Sequence, residues 1–152
     1  MPSYTFHTNC EAETEALGER LGRLILDGTA VLLDGPIGAG KTCFTRGLAK
    51  GLGFDPADVS SPTFTLVHEH RDGRKLYHMD LYRLGSLEEA EEGGLTEYFA
   101  EDAVAVVEWP DPVLGLFGPE AVRVYISQPD GEDLRLITFE LPEKLARAWE
   151  AI

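Results

Sequence analysis

Residues 35–42 read GPIGAGKT and fit the template G-x-x-x-x-G-K-[ST], which cradles the phosphates of a nucleoside triphosphate. Gly35, Gly38 and Gly40 permit backbone angles that a Cβ would hinder, so successive N–H groups can turn toward one anion. A helix starting near Lys41 would aim its positive end at the same place. Lys41 would then reach the β- and γ-phosphates of the nucleotide, and the Thr42 hydroxyl would ligate Mg²⁺. The competing reading is a chance glycine turn.

Such a site also needs an acid at a strand end to hold Mg²⁺ or its water. Two strand-like runs end in one: KLYHMD in Asp80 and AVAVVE in Glu108. Glu108 closes the more apolar run, the one expected beside the phosphate-loop strand, so it is assigned to the metal. Asp80 is assigned to supporting the metal's ligands from outside or to positioning water. For either acid the alternative is a solvated carboxylate at a strand end. Residues 60–65, SSPTFT, lie where switch-type nucleotide hydrolases place a hydroxyl that senses the γ-phosphate. If Asp72 and Gly73 form a two-residue turn, Arg71 faces Arg74 and the extended ladder sets Thr65 opposite Asp80. Thr63 or Thr65 would then share a site with that carboxylate; a structural hydroxyl turn is the alternative. On the same register His68 and His70 share one face while His78 lies on the other. Without a fourth ligand of metal spacing, ordinary strand histidines are expected rather than zinc. Trp109 follows Glu108 directly, as core packing, an aromatic lid or a partner contact.

The elements that must position these groups follow from hydrophobic periodicity. Residues 4–8 alternate like a short strand. EAETEALGERLGRLI then carries Leu17, Leu21, Leu24 and Ile25 at helical spacing, with Asn9 as N-cap and Gly28 as the end of the helix. AVLLD at 30–34 is a continuous apolar run, the pattern of a strand buried on both faces. Phe44, Leu48 and Leu52 recur every four residues, a second helix ending near residues 51–53. TLVHEHR and KLYHMD read as a hairpin, and Ser86 with Glu89 as a capping box opening a short acidic helix. AVAVVE at 103–108 is a second buried strand, broken by WPDP. Residues 122–127 and 134–140 flank QPDGED as another hairpin, and Pro142 starts a closing helix through Trp149. Neither a repeat nor a dividing linker is visible, so one domain is expected. The pattern predicts an α/β sandwich with a mixed sheet, parallel at the phosphate loop and antiparallel elsewhere.

The 152 residues carry 27 acids against 13 bases, a formal charge of −14. Nucleic-acid affinity rests largely on Lys/Arg contacts to phosphate, and RDGRK at 71–75 is the one local basic cluster. Direct tight RNA or DNA binding is therefore not expected; protein partners are. No apolar run approaches the roughly 20 residues needed to span a bilayer, no export signal is visible at the N-terminus, and two cysteines make no disulfide framework, so a cytoplasmic location is expected. Cys43 sits at a helix start, where the dipole could depress its pKa; the plainer reading is a buried small residue.

A GTPase would need a guanine-reading N-K-x-D and a D-x-x-G, and neither is present. A small-molecule kinase would need an arginine-rich lid, and residues 84–103 are too short and too acidic for one. GPIGAGKT, SPTFTLV, HMDLYRL and VEWPD, in this order and spacing, resemble the TsaE family, bacterial ATPases required for threonylcarbamoyladenosine modification of tRNA. ETEALGERL is similar to that family's first helix, and the resemblance covers about residues 11–111. It implies that residues 37–42 (Ile37, Gly38, Ala39, Gly40, Lys41 and Thr42) bind the phosphates, with Thr42 and Glu108 on Mg²⁺. It places Thr63 and Thr65 in a switch-like loop, Asp80 as a Walker-B-like acid, Trp109 beside the site, and Glu11 and Thr14 near the adenine. Phe64 stands where tyrosine is common. The resemblance further implies association with TsaB and TsaD, the transferase chemistry belonging to TsaD and tRNA contacts being indirect. A metabolite kinase and a nucleotide-sensing adaptor with incidental hydrolysis remain the rival functions.

Overall fold

A computed structural model describes residues 2–36, 38–59, 67–72, 74–94, 103–129 and 134–151. Its strands are β1 (Ser3–Thr8), β2 (Ala30–Asp34), β3 (Val67–Asp72), β4 (Arg74–Asp80), β5 (Val104–Glu108), β6 (Val122–Ser127) and β7 (Arg135–Glu140). Its α-helices are α1 (Glu11–Gly22), α2 (Lys41–Leu52), α3 (Leu87–Glu92) and α4 (Glu143–Glu150). One seven-stranded sheet runs β1-β7-β6-β2-β5-β4-β3. β2 is parallel to both β5 and β6, and β4 is parallel to β5, whereas β3–β4, β6–β7 and β1–β7 are antiparallel. The mixed α/β architecture read from the sequence is thus observed.

The apolar run of β2 sits in the middle because it can be covered on both sides. Val31 and Leu33 join a core with Leu21, Phe44, Leu48, Phe139 and Trp149, contributed by α1, α2, α4 and the antiparallel strands. Leu32 joins the opposite core with Tyr77, Met79, Val107, Ala90 and Val113. Every residue of β5 is buried, as its composition demands. The expected periodicity of α2 holds as well, with Phe44 and Leu48 fully buried and Gly53 closing the helix at φ 99°.

Four glycines set the approach of α1 to α2. A Cβ on Gly18 would lie 2.3 Å from the Phe44 carbonyl oxygen, and one on Gly22 2.3 Å from that of Leu48. From the other helix, Gly47 and Gly51 would meet the carbonyl oxygens of Glu15 and Glu19 at 1.9 and 2.3 Å. Backbone cannot yield as a side chain can, so glycine alone lets the helices pack this closely. Each pair is spaced i, i+4, so both glycines of a helix lie on one face.

Three local expectations are corrected. The first helix ends at Gly22 rather than Gly28; Leu24 and Ile25 turn back onto the Leu21 carbonyl, and the Gly28 N–H donates to Ala103 O at 2.8 Å, tying that loop to the foot of β5. Its N-cap is Cys10 rather than Asn9, whose own N–H donates to Glu13 Oε1 at 2.6 Å. The β3–β4 register is one residue away from a two-residue turn at 72–73: Asp72, not Arg71, pairs with Arg74, and Val67 pairs with Met79. Position 68 therefore stands directly across from position 78, and the expected division of the histidines between two faces does not hold. Among the described residues no group of three or more His, Cys, Asp or Glu side chains could hold a metal ion. The capping box is formed in part: Ser86 Oγ accepts from the Glu89 N–H, while the Glu89 carboxylate goes to the Gly85 N–H. No helix among the described residues is long and apolar enough to cross a membrane.

Candidate functional site

The parallel strands β2, β5 and β4 end side by side. Leu33 is level with Glu108, and Glu108 with Asp80. Ligands of open α/β sheets bind beyond such carboxyl ends, and here the loop 35–40 leaves β2 and delivers the chain to α2 at that edge. The first residue of this loop must be glycine, since a Cβ there would lie 2.7 Å from the Ile126 carbonyl oxygen of β6. Gly38 (φ 83°) and Gly40 (φ 105°) take the left-handed turns that bring the chain into the helix. Lys41 and Thr42 then open α2, with their amides at its positive end.

Lys41 is 6% exposed, and its Nζ has no hydrogen-bond partner among the described residues. The ammonium lies 4.0 Å from Glu108 Oε1 and 3.9 Å from the centroid of the Trp109 ring. Burial pushes its pKa down, and the carboxylates of Glu108, Asp80 and Asp34 oppose that shift. A cation so enclosed, with an ion pair at the edge of contact range, has capacity for another anion. The cation–π contact with Trp109 supplements the carboxylate.

Glu108 is 3% exposed. Its Oε2 is hydrogen-bonded at 2.5 Å to Nε2 of His78, a fully buried residue of β4. Asp80, at the tip of β4, accepts the Tyr82 N–H at 2.9 Å. Burial raises the Asp80 pKa and outweighs the lowering by that amide; the neighbouring Glu108 charge raises it further. Trp109 holds φ at 54°, an uncommon backbone for a bulky residue. Its N–H donates to Leu33 O at 3.3 Å, and its ring meets Tyr82 at 4.9 Å between centroids. That conformation turns the chain after β5 so that the indole covers Lys41.

Of the residues singled out in the sequence, Glu11, Gly38, Gly40, Lys41, Thr42, Asp80, Glu108 and Trp109 line one cleft of about 270 Å³. Ala39 lies buried in the turn, its N–H donating to Pro36 O at 3.1 Å. Thr14 lies beside the cleft, in an adjoining pocket of about 150 Å³ with Glu11 and Cys43, and shares a hydrogen bond of 2.8 Å with the Thr8 hydroxyl. Ile37, Thr63, Phe64 and Thr65 lie outside the described residues. Cys43 is buried, its thiol donating to the Glu11 carbonyl, and burial raises its pKa first of all, in keeping with the plainer reading of a buried small residue and not with the alternative of a depressed thiol.

Arg46, which lines the cleft, and Arg135 were not picked out from the sequence, and His78 was read there as an ordinary strand histidine. Arg135, from β7, donates through Nε to Ala39 O at 2.8 Å and through Nη2 to Gly38 O at 3.4 Å, holding the outer side of the loop. Nothing local announces it, because it is 96 and 97 positions from these partners in the chain. His78 did carry a signal: it stands two residues before Asp80, so strand alternation puts both on one face. The arrangement as a whole is a helix N-terminus with a buried ammonium for an anion, and oxygen donors from Thr42 and Glu108 that suit a hard divalent cation. A separate cavity of about 190 Å³ at the opposite end of the sheet, lined by Gly28, Thr29, Phe117 and Glu120 among others, presents no cationic side chain.

The model of the family described as "Threonylcarbamoyl adenosine biosynthesis protein TsaE" matches residues 8–137. The tRNA threonylcarbamoyladenosine biosynthesis protein TsaE of Bacillus subtilis (strain 168) is 41% identical over 128 residues, which cover 84% of this chain and 78% of that protein. Its counterpart in Haemophilus influenzae is 38% identical over 144 residues, 90% of each. Among solved structures, Bacillus subtilis YdiB superposes with a TM-score of 0.80 at 32% identity, covering 99% of this chain and 95% of that one. The family match spans the cradle, both acids and the sheet that carries them, and on this ground the chain belongs to the TsaE family of threonylcarbamoyladenosine biosynthesis proteins.

Proposed function

We propose that this chain binds ATP with Mg²⁺ and hydrolyses it, and that the hydrolysis serves threonylcarbamoyladenosine formation on tRNA by a TsaB–TsaD transferase assembly. The observation that carries the nucleotide reading is Lys41: a buried ammonium without a hydrogen-bond partner among the described residues, at the first turn of α2. In this reading the loop amides and Lys41 hold the β- and γ-phosphates, while Trp109 keeps water from the ammonium. The Thr42 hydroxyl and the Glu108 carboxylate hold the metal, in keeping with their oxygen chemistry. Mg²⁺, when bound, supplies neutralisation of phosphate charge. Asp80, whose burial makes it readier to take a proton than an exposed aspartate, orients the attacking water. Glu11 and Thr14 flank the adenine, and Ile37 and Thr65 complete the phosphate contacts as in the family pattern.

The experiment pairs nucleotide binding with product analysis. Lys41→Ala should weaken ATP binding by about 10- to 100-fold, as expected for loss of a hydrogen bond to a charged group. The parent should release free phosphate. Undiminished binding by the variant would refute the site, and a phosphorylated small-molecule acceptor would make the chain a kinase instead.

A further inference from the structure

We propose that His78 is a positioning residue: its Nε2 holds Oε2 of Glu108, so that the other carboxylate oxygen faces Lys41 and the phosphate cradle. The inference rests on the reading of Glu108 as the acid on the metal side of the site. A glutamate at the end of a strand has three side-chain torsions and, left alone, swings into solvent. Glu108 instead is 3% exposed with its two oxygens given different neighbours: Oε2 meets His78 at 2.5 Å, and Oε1 lies 4.0 Å from Lys41 Nζ. The strand register makes this possible. Asp80 is level with Glu108 and His78 with Val106, so the imidazole rises from one pleat deeper on the same face and meets the carboxylate from below.

The choice of side chain fits the task. An imidazole has only two torsions and is fully buried here, so it offers a donor at a fixed point. A lysine or arginine in its place would add a permanent charge beside Lys41, weakening the pull of Glu108 on that ammonium. The pair resembles the outer-shell hydrogen bonds that orient metal-ligating carboxylates. A histidine and an acid paired solely to satisfy each other's buried polar atoms would affect stability alone, and the test separates the two cases.

The full chain is compared with His78→Gln and His78→Asn. The glutamine amide nitrogen reaches the place of Nε2, whereas the asparagine amide stops near Nδ1 and falls short of Glu108. The proposal predicts that His78→Gln keeps turnover of MgATP within about 3-fold of the parent. His78→Asn should lose roughly 10- to 100-fold in kcat, the usual range for outer-shell partners, with nucleotide affinity measured in EDTA changed by less than about 2-fold on the same scale. Equal turnover in all three proteins, or equal losses in both variants, would overturn it. A second readout needs no nucleotide. In the apo protein the His78 Nε2 proton should give a hydrogen-bonded nuclear magnetic resonance signal that shifts in Glu108→Gln; no signal, or one indifferent to that change, would also overturn it. Should the parent hydrolyse no ATP, the function proposed above falls while this resonance still decides the His78–Glu108 pair.

Discussion

Lys41 and Asp80 are each pushed by burial toward the neutral form, and each is retained at a cost to the apo protein. For Asp80 the sign is definite. Its folded pKa lies above the ordinary carboxylate value of 3.8, so the penalty on the folded state builds up as pH rises from 3.8, is complete above the folded value, and is relieved as pH falls back through that value toward 3.8. Asp80→Asn, which keeps an oxygen for the Tyr82 amide, should therefore melt at or above the parent temperature at pH 7. The gap should close as the pH approaches 3.8, while ATP turnover is lost. A variant that melts well below the parent at pH 7 would contradict the burial argument. Glu108→Ala should reduce Mg²⁺-dependent turnover more than nucleotide affinity; equal losses of both would contradict the metal assignment. At this scale Lys41, Thr42 and Glu108 could be read from the sequence because a spaced motif and a strand end fix their surroundings. His78 was read as an ordinary strand histidine because its contact with Glu108 depends on the parallel β4–β5 pairing, which joins strands distant in the chain. Arg135 depends on a contact between chain ends that no local pattern encodes.

At the scale of elements, β2 and β5 were readable because a strand buried on both faces has to be apolar throughout. β6, β7 and α4 followed from alternation and helix-start signals. The β3–β4 register slipped by one residue in the sequence reading because a single-residue shift leaves the backbone pairing just as plausible while it exchanges faces. The overlong first helix has a similar cause: Leu24 and Ile25 keep helical spacing but pack from a turn. What periodicity did not suggest is the closeness of α1 and α2, which depends on Gly18, Gly22, Gly47 and Gly51 meeting backbone. Gly47→Ala, whose Cβ would lie 1.9 Å from the Glu15 carbonyl oxygen, should destabilise the fold by roughly 1–3 kcal/mol, as overpacking does. Thermal denaturation should show it as a drop of several degrees, at roughly 2–4 °C per kcal/mol for a chain of this size. Because the same contact seats Glu11 beside the cradle, nucleotide affinity should fall too. An unchanged melt would mean that the helices can part without cost.

For the whole molecule, the formal charge of −14 bears on partners rather than on fold. An acidic chain that serves a tRNA modification should leave the tRNA to others. Filter binding at about 0.15 M salt should accordingly show no retention of tRNA by this chain alone, since phosphate contacts dominate such affinity; tight retention would contradict that division of labour. Trp109 and the half-exposed Tyr82 join the cleft proposed for the nucleotide to the surface, with the Trp109 ring on Lys41 at one side and on Tyr82 at the other. A change at the phosphates therefore has a short route to the outside. The most direct measurement is the rate of phosphate release from MgATP by this chain, alone and with purified TsaB and TsaD, with Lys41→Ala as control. The account predicts a low rate alone, a several-fold rise with both partners, and neither in the variant. A rate indifferent to the partners, or one that survives Lys41→Ala, would contradict it.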